Sequence, residues 1–391
     1  MSSNRGSASR EAHANLPVPS SPHSGEVTVP RIGAMPSGRP IKVLLIAPSM
    51  DILGGQAVQA ERLLRELKKE PHLIVDFQPI NPRLPGWIRR IPYLRTLVTL
   101  VAYCWQILWR IPRYDVIHAF SAGLSSFALW TVPAVNVSRL FGRKFILNYR
   151  DGQADEHLQR WRQARPNLLR ATAVISPSDY VVEVFATHGI PSRRIPNVID
   201  LDRFRYRQRR RVRPVFMTNR ILEPLYNVGC LLRAFAIVQK KYPDASLTVA
   251  HDGVCRPELE ALARVLALQN TRFIGRVPHA EIPDLYDAAD IYLTSPNIDC
   301  MPGSVLECFA SGLPVVATRA GGIPRIVTHE ETGLLVDLND HDAMAAAAIR
   351  LLEDPDFIER STRRAYEELE QYRWPAVRRQ WLDTYDALVR A

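Results

Sequence analysis

From residue 41 onward, short unbroken apolar runs alternate with stretches whose apolar positions recur at helical spacing. The first run, Ile41-Lys42-Val43-Leu44-Leu45-Ile46-Ala47, leads into a Gly54-Gly55 turn and then a helical pattern through Val58, Leu63, Leu64 and Leu67. Strands are predicted again near 72–78, 114–118, 144–149 and 172–175, with helices near 94–111, 122–141, 155–168 and 178–188. Beyond an arginine-rich segment the alternation resumes. Strands are expected near 214–218, 246–251, 272–275, 290–295, 313–317 and 333–336, and helices near 228–241, 257–268, 279–288, 303–311 and 341–353. This order predicts an α/β chain of two doubly wound, Rossmann-like domains, each a parallel sheet with helices on both faces.

The boundaries follow from where the pattern stops. Residues 1–40 are mostly Ser, Pro, Gly and Ala without an apolar run, so they read as a disordered tail and not as a signal peptide. Residues 41–205 form the first domain and 206–374 the second. The chain from Pro355 onward is helical, with Trp374, Trp381, Tyr385 and Leu388 at core-like spacing, and the helix 375–391 is expected to pack back on the first domain. Arg203, Arg205, Arg207, Arg209, Arg210, Arg211 and Arg213 show no apolar periodicity and read as a solvated interdomain linker.

Composition narrows the class. At 391 residues, 47% hydrophobic and 23% charged, the chain is soluble-globular and too long for one core. The formal net charge of +10 is uneven: residues 1–211 carry 31 basic and 15 acidic side chains, residues 212–391 carry 19 and 25. A polyanionic partner is therefore expected on the first domain. Nucleic acid is disfavoured, because no helix-turn-helix, zinc-finger or RNA-recognition signature accompanies the charge. Cys104, Cys230, Cys255, Cys300 and Cys308 form no C-x-x-C pair, which argues against a disulfide framework or zinc site and for a reduced, cytoplasmic compartment.

Open α/β sheets bind ligands beyond the carboxyl ends of their strands, so the segments just after strands are the candidates for chemistry. Gly54 and Gly55 form a side-chain-free turn at a helix start, where free amides can meet an anion. Neither G-x-G-x-x-G nor a Walker A loop is present. Asp299-Cys300-Met301-Pro302-Gly303-Ser304-Val305-Leu306-Glu307 follows a strand and opens a second helix, placing a carboxylate beside another anion site. Hydroxyls that donate to the carboxylate, such as a ribose diol, would reconcile the two. Arg220 follows the strand at 214–218 and could clamp a diphosphate. Gly321-Gly322-Ile323-Pro324 is a further glycine turn.

Asp299-x7-Glu307 runs directly into Cys308-Phe309-Ala310-Ser311-Gly312-Leu313-Pro314-Val315-Val316-Ala317-Thr318. Together with Gly54-Gly55, Pro196-Asn197-Val198-Ile199-Asp200 and Gly321-Gly322-Ile323-Pro324, this block resembles glycosyltransferase family 4, retaining nucleotide-sugar transferases of the GT-B fold. The resemblance covers about residues 41–391 and is most specific over 290–336. It implies that Glu307 holds the nucleotide ribose, that Asp299 contacts donor-sugar hydroxyls and that Arg220 binds phosphate. It further implies that Met301, Pro302, Gly303, Ser304 and Val305 meet the diphosphate and sugar, and that Gly54 and Gly55 close over the diphosphate from the other domain. Two departures stand out: Tyr226 replaces the usual phosphate-binding lysine, and Arg150 stands where a strand-end histidine is common. Arg150 is therefore a candidate to restore the missing positive charge.

The implied activity is transfer of a sugar, with retention of configuration, from a nucleotide sugar to a sugar, lipid-linked or polysaccharide-precursor acceptor. The donor sits mainly on the second domain and the acceptor mainly on the first. A nucleotide-sugar epimerase, a phosphorylase on the same fold and an inactive GT-B binding protein are the alternatives. No cofactor or metal is expected. The triplets Asp200-Leu201-Asp202, Asp340-His341-Asp342 and Asp354-Pro355-Asp356 are the places where a metal-dependent reading would have to begin. Within 83–113, arginines flank the uncharged run Thr96 to Trp109, too short to span a bilayer. A buried helix, a peripheral contact with an anionic membrane, or both faces used at once remain open, and the location expected is cytoplasmic, at the inner face of the membrane.

Overall fold

The computed structural model describes residues 39–51, 54–82 and 92–390. All but the last two residues of the expected tail lie outside these ranges, as do Arg83, Trp87, Arg89 and Arg90. From Pro40 onward the chain forms one compact unit built around two sheets.

The first sheet holds β1 (Ile41–Ala47), β2 (Leu73–Pro79), β3 (Val116–Ser121), β4 (Lys144–Tyr149), β5 (Ala173–Ser176) and β6 (Arg193–Arg194), in the order β2-β1-β3-β4-β5-β6. The second holds β7 (Val215–Thr218), β8 (Ser246–Ala250), β9 (Thr271–Gly275), β10 (Ile291–Thr294), β11 (Val315–Thr318) and β12 (Leu334–Val336), in the order β12-β11-β10-β7-β8-β9. All pairings within the two sheets are parallel. Strand order reverses between β1 and β3 in one sheet and between β7 and β10 in the other. Crevices open beyond the strand ends at such reversals, and these put Gly54, Arg220 and Asp299 at the mouths of the two lobes.

Helices α1 (Gly55–Leu67), α2 (Pro92–Arg110), α3 (Leu124–Ser126), α4 (Val132–Leu140), α5 (Ala154–Arg160), α6 (Ala164–Leu168) and α7 (Asp179–Thr187) belong to the first lobe. Helices α8 (Val228–Lys241), α9 (Arg256–Val265), α10 (Ile282–Ala288), α11 (Gly303–Ala310), α12 (His341–Glu353) and α13 (Pro355–Glu367) follow in the second, and α14 (Trp374–Arg390) ends the chain. Two expected helices are broken. The 122–141 stretch contains a π turn over Phe127–Thr131 ahead of Pro133, whose missing amide cannot continue the regular ladder. The 155–168 stretch is interrupted at Trp161, which is extended (φ −124°, ψ 97°).

α14 returns to the first lobe. Its Val377, Trp381, Tyr385 and Leu388 pack with Val43, Leu45 and Val116 of the sheet and Leu63 and Leu67 of α1. Tyr385 Oη lies 2.8 Å from His118 Nδ1 on β3, and Arg378 pairs with Glu70 at 2.5 Å. A second core fills the outer face of the second sheet, and a third runs continuously from Phe145 and Tyr149 in the first lobe to Met301, Val305 and Phe309 in the second.

The arginine segment is solvated only in part: Arg205, Arg210, Arg211 and Arg213 are exposed, whereas Arg207 and Arg209 are drawn into the second lobe. Arg209 is only 4% exposed and donates to the carbonyls of Ser311, Tyr286 and Ala289. Arg207 and Arg213 pair with Asp290 at 2.8 and 2.7 Å, with Arg209 Nε at 3.6 Å from the same carboxylate. Arg207 and Arg209 dock on carbonyls at the ends of α10 and α11, and with Arg213 they share one buried acid, contacts that leave no apolar periodicity in the segment.

Candidate active site

The two lobes enclose a cleft of about 420 Å³. Of the residues singled out in the sequence, Gly54, Gly55, Arg150, Arg220, Asp299, Met301, Pro302, Gly303, Ser304 and Glu307 line it. Val305 stands apart: its side chain is fully buried in the core and its amide bonds Pro302 O at 3.2 Å.

A Cβ added at Gly54, Gly55 or Gly303 would meet nothing within 4 Å, so on both walls the backbone faces open cleft. Gly303 begins α11 immediately after Pro302, and its first amides have no helical carbonyl partner. Elsewhere glycine allows backbones to touch. A Cβ at Gly152, in the loop after β4, would lie 2.7 Å from Asp299 C in the opposite lobe, and Gly321 takes φ +52° with Asp299 O 2.3 Å from where its Cβ would be.

Arg220 and Asp299 form an ion pair, and Arg220 Nη1 also donates to Ser304 Oγ at 3.1 Å. Burial opposes the Arg220 charge, but Asp299 outweighs it and holds the guanidinium above its usual range. Burial in turn pushes Asp299 upward, with Arg220 acting against the rise. Tyr226, in the lysine's place, offers its ring to Arg220 at 4.4 Å from the centroid. The substitution thus exchanges a cation for a surface that fixes the neighbouring one.

Glu307 is 8% exposed and has both oxygens occupied. Oε1 accepts from Arg62 Nη2 of α1 at 3.0 Å, and Oε2 from Tyr286 Oη at 3.1 Å. Tyr286 is fixed by Asn219, which donates to it at 2.8 Å and accepts from Tyr292 at 2.9 Å. Arg62 had no place among the sequence candidates. Gln59, Arg62 and Glu66 are buried polar positions of α1, a burial that the local sequence does not mark.

Arg150 lies over Phe120 at 4.5 Å and donates to Asn148 Oδ1 at 3.4 Å and to Asn197 Oδ1. Asn197 Nδ2 passes the contact across the cleft to Met301 O at 3.3 Å. Burial lowers Arg150 to about 10, so it stays a cation at neutral pH. The acidic triplets have ordinary employment: Asp340 and Asp354 cap α12 and α13, and Asp200 pairs with Arg65 at 2.8 Å. Among the described residues no cluster of three or more His, Cys, Asp or Glu is arranged to hold a metal ion.

Two family models match the chain, one described as Glycosyltransferase Family 4 over residues 53–203 and one as Glycosyl transferases group 1 over 213–354. The chain belongs to glycosyltransferase family 4. It is 28% identical over 322 residues to the D-inositol 3-phosphate glycosyltransferase of Thermobispora bispora, covering 73% of each chain. Against the GDP-mannose-dependent alpha-(1-6)-phosphatidylinositol monomannoside mannosyltransferase of Mycolicibacterium smegmatis it is 31% identical over 209 residues, 47% of this chain and 54% of the other. Two corynebacterial D-inositol 3-phosphate glycosyltransferases are spanned over only 37% and 41% of their length. Among solved structures, Anabaena HepE in complex with UDP and glucose superposes with a TM-score of 0.69 at 18% identity, over 88% of this chain and 99% of that one. The likeness is one of fold, and the fold is GT-B.

Proposed function

We propose that this family member is a retaining glycosyltransferase that moves a sugar from a nucleotide-sugar donor to an acceptor held mainly by the first lobe. The observation that carries the reading is the gathering of Arg220, Asp299, Ser304 and Glu307 around the open amino end of α11, across the cleft from the bare backbone of Gly54 and Gly55. Glu307 accepts from the ribose diol, and Asp299 from hydroxyls of the sugar. Arg220 and the amides of Gly303 and Ser304 stabilise the diphosphate as it departs, a task a helix terminus and a guanidinium perform without metal.

In the step itself, the bond between the anomeric carbon and the diphosphate oxygen breaks, and its electron pair leaves with the diphosphate. The acceptor hydroxyl adds from the same face, and its proton passes to an oxygen of the leaving phosphate. No protein nucleophile takes part.

The acceptor in this reading is lipid-linked and met at the cytoplasmic face of a membrane. Two observations support that half: the excess of basic residues in the first lobe, and a relative whose name specifies a phosphatidylinositol mannoside acceptor. No helix among the described residues is long and apolar enough to cross a membrane.

The test is a thermal-shift panel of UDP-, GDP- and ADP-sugars, followed by turnover of the stabilising donor with and without EDTA. Turnover that persists in EDTA and is lost in a folded Glu307→Ala variant is expected. An absolute divalent-cation requirement would overturn the metal-free mechanism, and phosphate-dependent breakdown of a glycan would replace the transferase with a phosphorylase.

A further inference from the structure

α2 is apolar on two opposite faces, and only one is covered. Tyr103, Ile107 and Ile111, at the helix and its 3-10 extension, are fully buried in the core. Leu97, Val101, Trp105 and Trp109, spaced four apart and rotated about half a turn away, are 58%, 61%, 63% and 56% exposed. Trp105 and Trp109 meet edge to face at 5.7 Å, making a rigid aromatic pair on the surface. At the far end of the helix, Arg143 donates to Pro112 O at 2.6 Å and brings the end of α4 alongside, adding Leu140 (72% exposed) and Phe141 (40%). Exposed large side chains of one stripe are far more than the scattered apolar residues a soluble surface carries.

The surroundings identify the occupant. From residue 77 to residue 150 the chain has ten Arg and Lys and a single acid, Asp115, which bonds Lys42 N at 3.0 Å. Arg95, Arg113 and Arg139 are exposed beside the stripe. Arg110 is turned inward, donating to Phe77 O and Gln78 Oε1. An apolar ridge with paired tryptophans inside a basic rim matches the interface of an anionic bilayer, where acyl chains take the ridge, indoles sit at headgroup depth and phosphates meet the arginines. Asp76, exposed near the end of α2, accepts from Tyr114 Oη at 2.6 Å, and the rim is otherwise predominantly basic among the described residues, so a second copy presenting the same face would meet like charge.

We infer that α2 and the end of α4 form a monotopic docking face for anionic lipid. The inference deepens the acceptor half of the proposed function. α2 begins on the side of the sheet where the strands end and the cleft opens, and it runs to the opposite end of the sheet, where Trp109 and the end of α4 lie, so the docking face extends along the flank of the first lobe.

The test is co-sedimentation of the full chain with phosphatidylcholine vesicles with and without phosphatidylglycerol, read also by tryptophan emission. Wild type is expected to bind only the anionic vesicles, with a blue shift, and to be released by salt. A Val101→Glu/Trp105→Glu variant, altered only at exposed positions, should lose binding about tenfold or more, and Arg95→Glu/Arg139→Glu should lose it at low salt. Donor turnover with a water-soluble acceptor is expected to be unchanged in both. Failure of wild type to bind, equal binding to neutral vesicles, or a concentration-dependent dimer abolished by the same substitutions would overturn the inference while leaving the transferase reading intact. Loss of turnover in Glu307→Ala is read independently of vesicle binding.

Discussion

Arg62 Nη2 lies 3.0 Å from Glu307 Oε1, joining the first helix of one lobe to the first helix at the cleft in the other, with both side chains almost wholly buried. A carboxylate oxygen can accept more than one hydrogen bond, so a ribose hydroxyl can join Arg62 on Glu307 without displacing it. Under the proposed function, ribose binding and approach of the first lobe therefore meet on one carboxylate.

Breaking one half of this pair should cost more than removing both. Arg62→Met is expected to lower unfolding stability by about 3–5 kcal/mol, because a buried carboxylate is left without its cation. Arg62→Met/Glu307→Met should recover most of that loss in urea denaturation while remaining inactive. If the single and double variants are equally destabilised, the pair is not what holds these side chains in place.

Under the proposed function, Asp299 should set the acid side of the pH profile. Burial raises it above the usual carboxylate value of about 3.9, and the proposed donor contact requires it ionised, so kcat/KM should fall as pH drops through that raised value. Arg220 opposes the rise. Arg220→Met should therefore move the acid limb to higher pH and lower kcat/KM about a hundredfold through lost diphosphate stabilisation. A limb that stays in place or moves downward contradicts the assignment.

The arginines at 207–213 should contribute unequally. Asp290→Asn leaves Arg209 buried without its counter-charge and is expected to cost about 3–5 kcal/mol. Arg213 has a side chain 64% exposed, and Arg213→Ala should cost less than about 1 kcal/mol. Equal, small losses at both positions in urea melts would restore the picture of a solvated connector.

Acid should unfold the protein through two buried histidines. Burial lowers His118 to about 3, with Arg150 adding to the effect, and lowers His157 to about 4 against the pull of Asp151. Below an unfolded-state value of about 6.5, the unfolded chain binds protons that the folded chain refuses. Stability is thus full above that pH and declines as pH falls towards the folded values, by up to about 1.4 kcal/mol per pH unit for each histidine. His118→Gln should flatten the slope by one proton; an unchanged slope would show that His118 is not part of it.

What was legible in the sequence was what depends on neighbours along the chain. Apolar runs such as 41–47 and 291–294 announce buried parallel strands, and the glycines at 54, 55 and 303 announce backbone facing a cleft. Asp299 and Glu307 are brought together by one strand-end loop and helix, so their spacing survives folding. Arg62 and Glu307 are 245 residues apart, and nothing local distinguishes Arg62 from the other charges of α1. The arginine segment was misread for a related reason. Its partners, Asp290 and the carbonyls at 286, 289 and 311, lie in other elements, and a docked arginine has the same local pattern as a solvated one. Tyr226 was legible as a missing lysine, while its stacking on Arg220 required the fold.

The backbone passes between the lobes twice, after β6 and again before α14, and at the crossings Ile199 N donates to Tyr372 O at 2.9 Å. A single strand joining two bodies permits swivelling, twisting and sliding. Two strands pinned side by side act as a two-leaf hinge and leave one easy rotation, about the line through the pin. The lobes should therefore open along a fixed arc that separates Arg62 from Glu307 and Asn197 from Met301 in the same stroke, so these two bridges across the cleft part together.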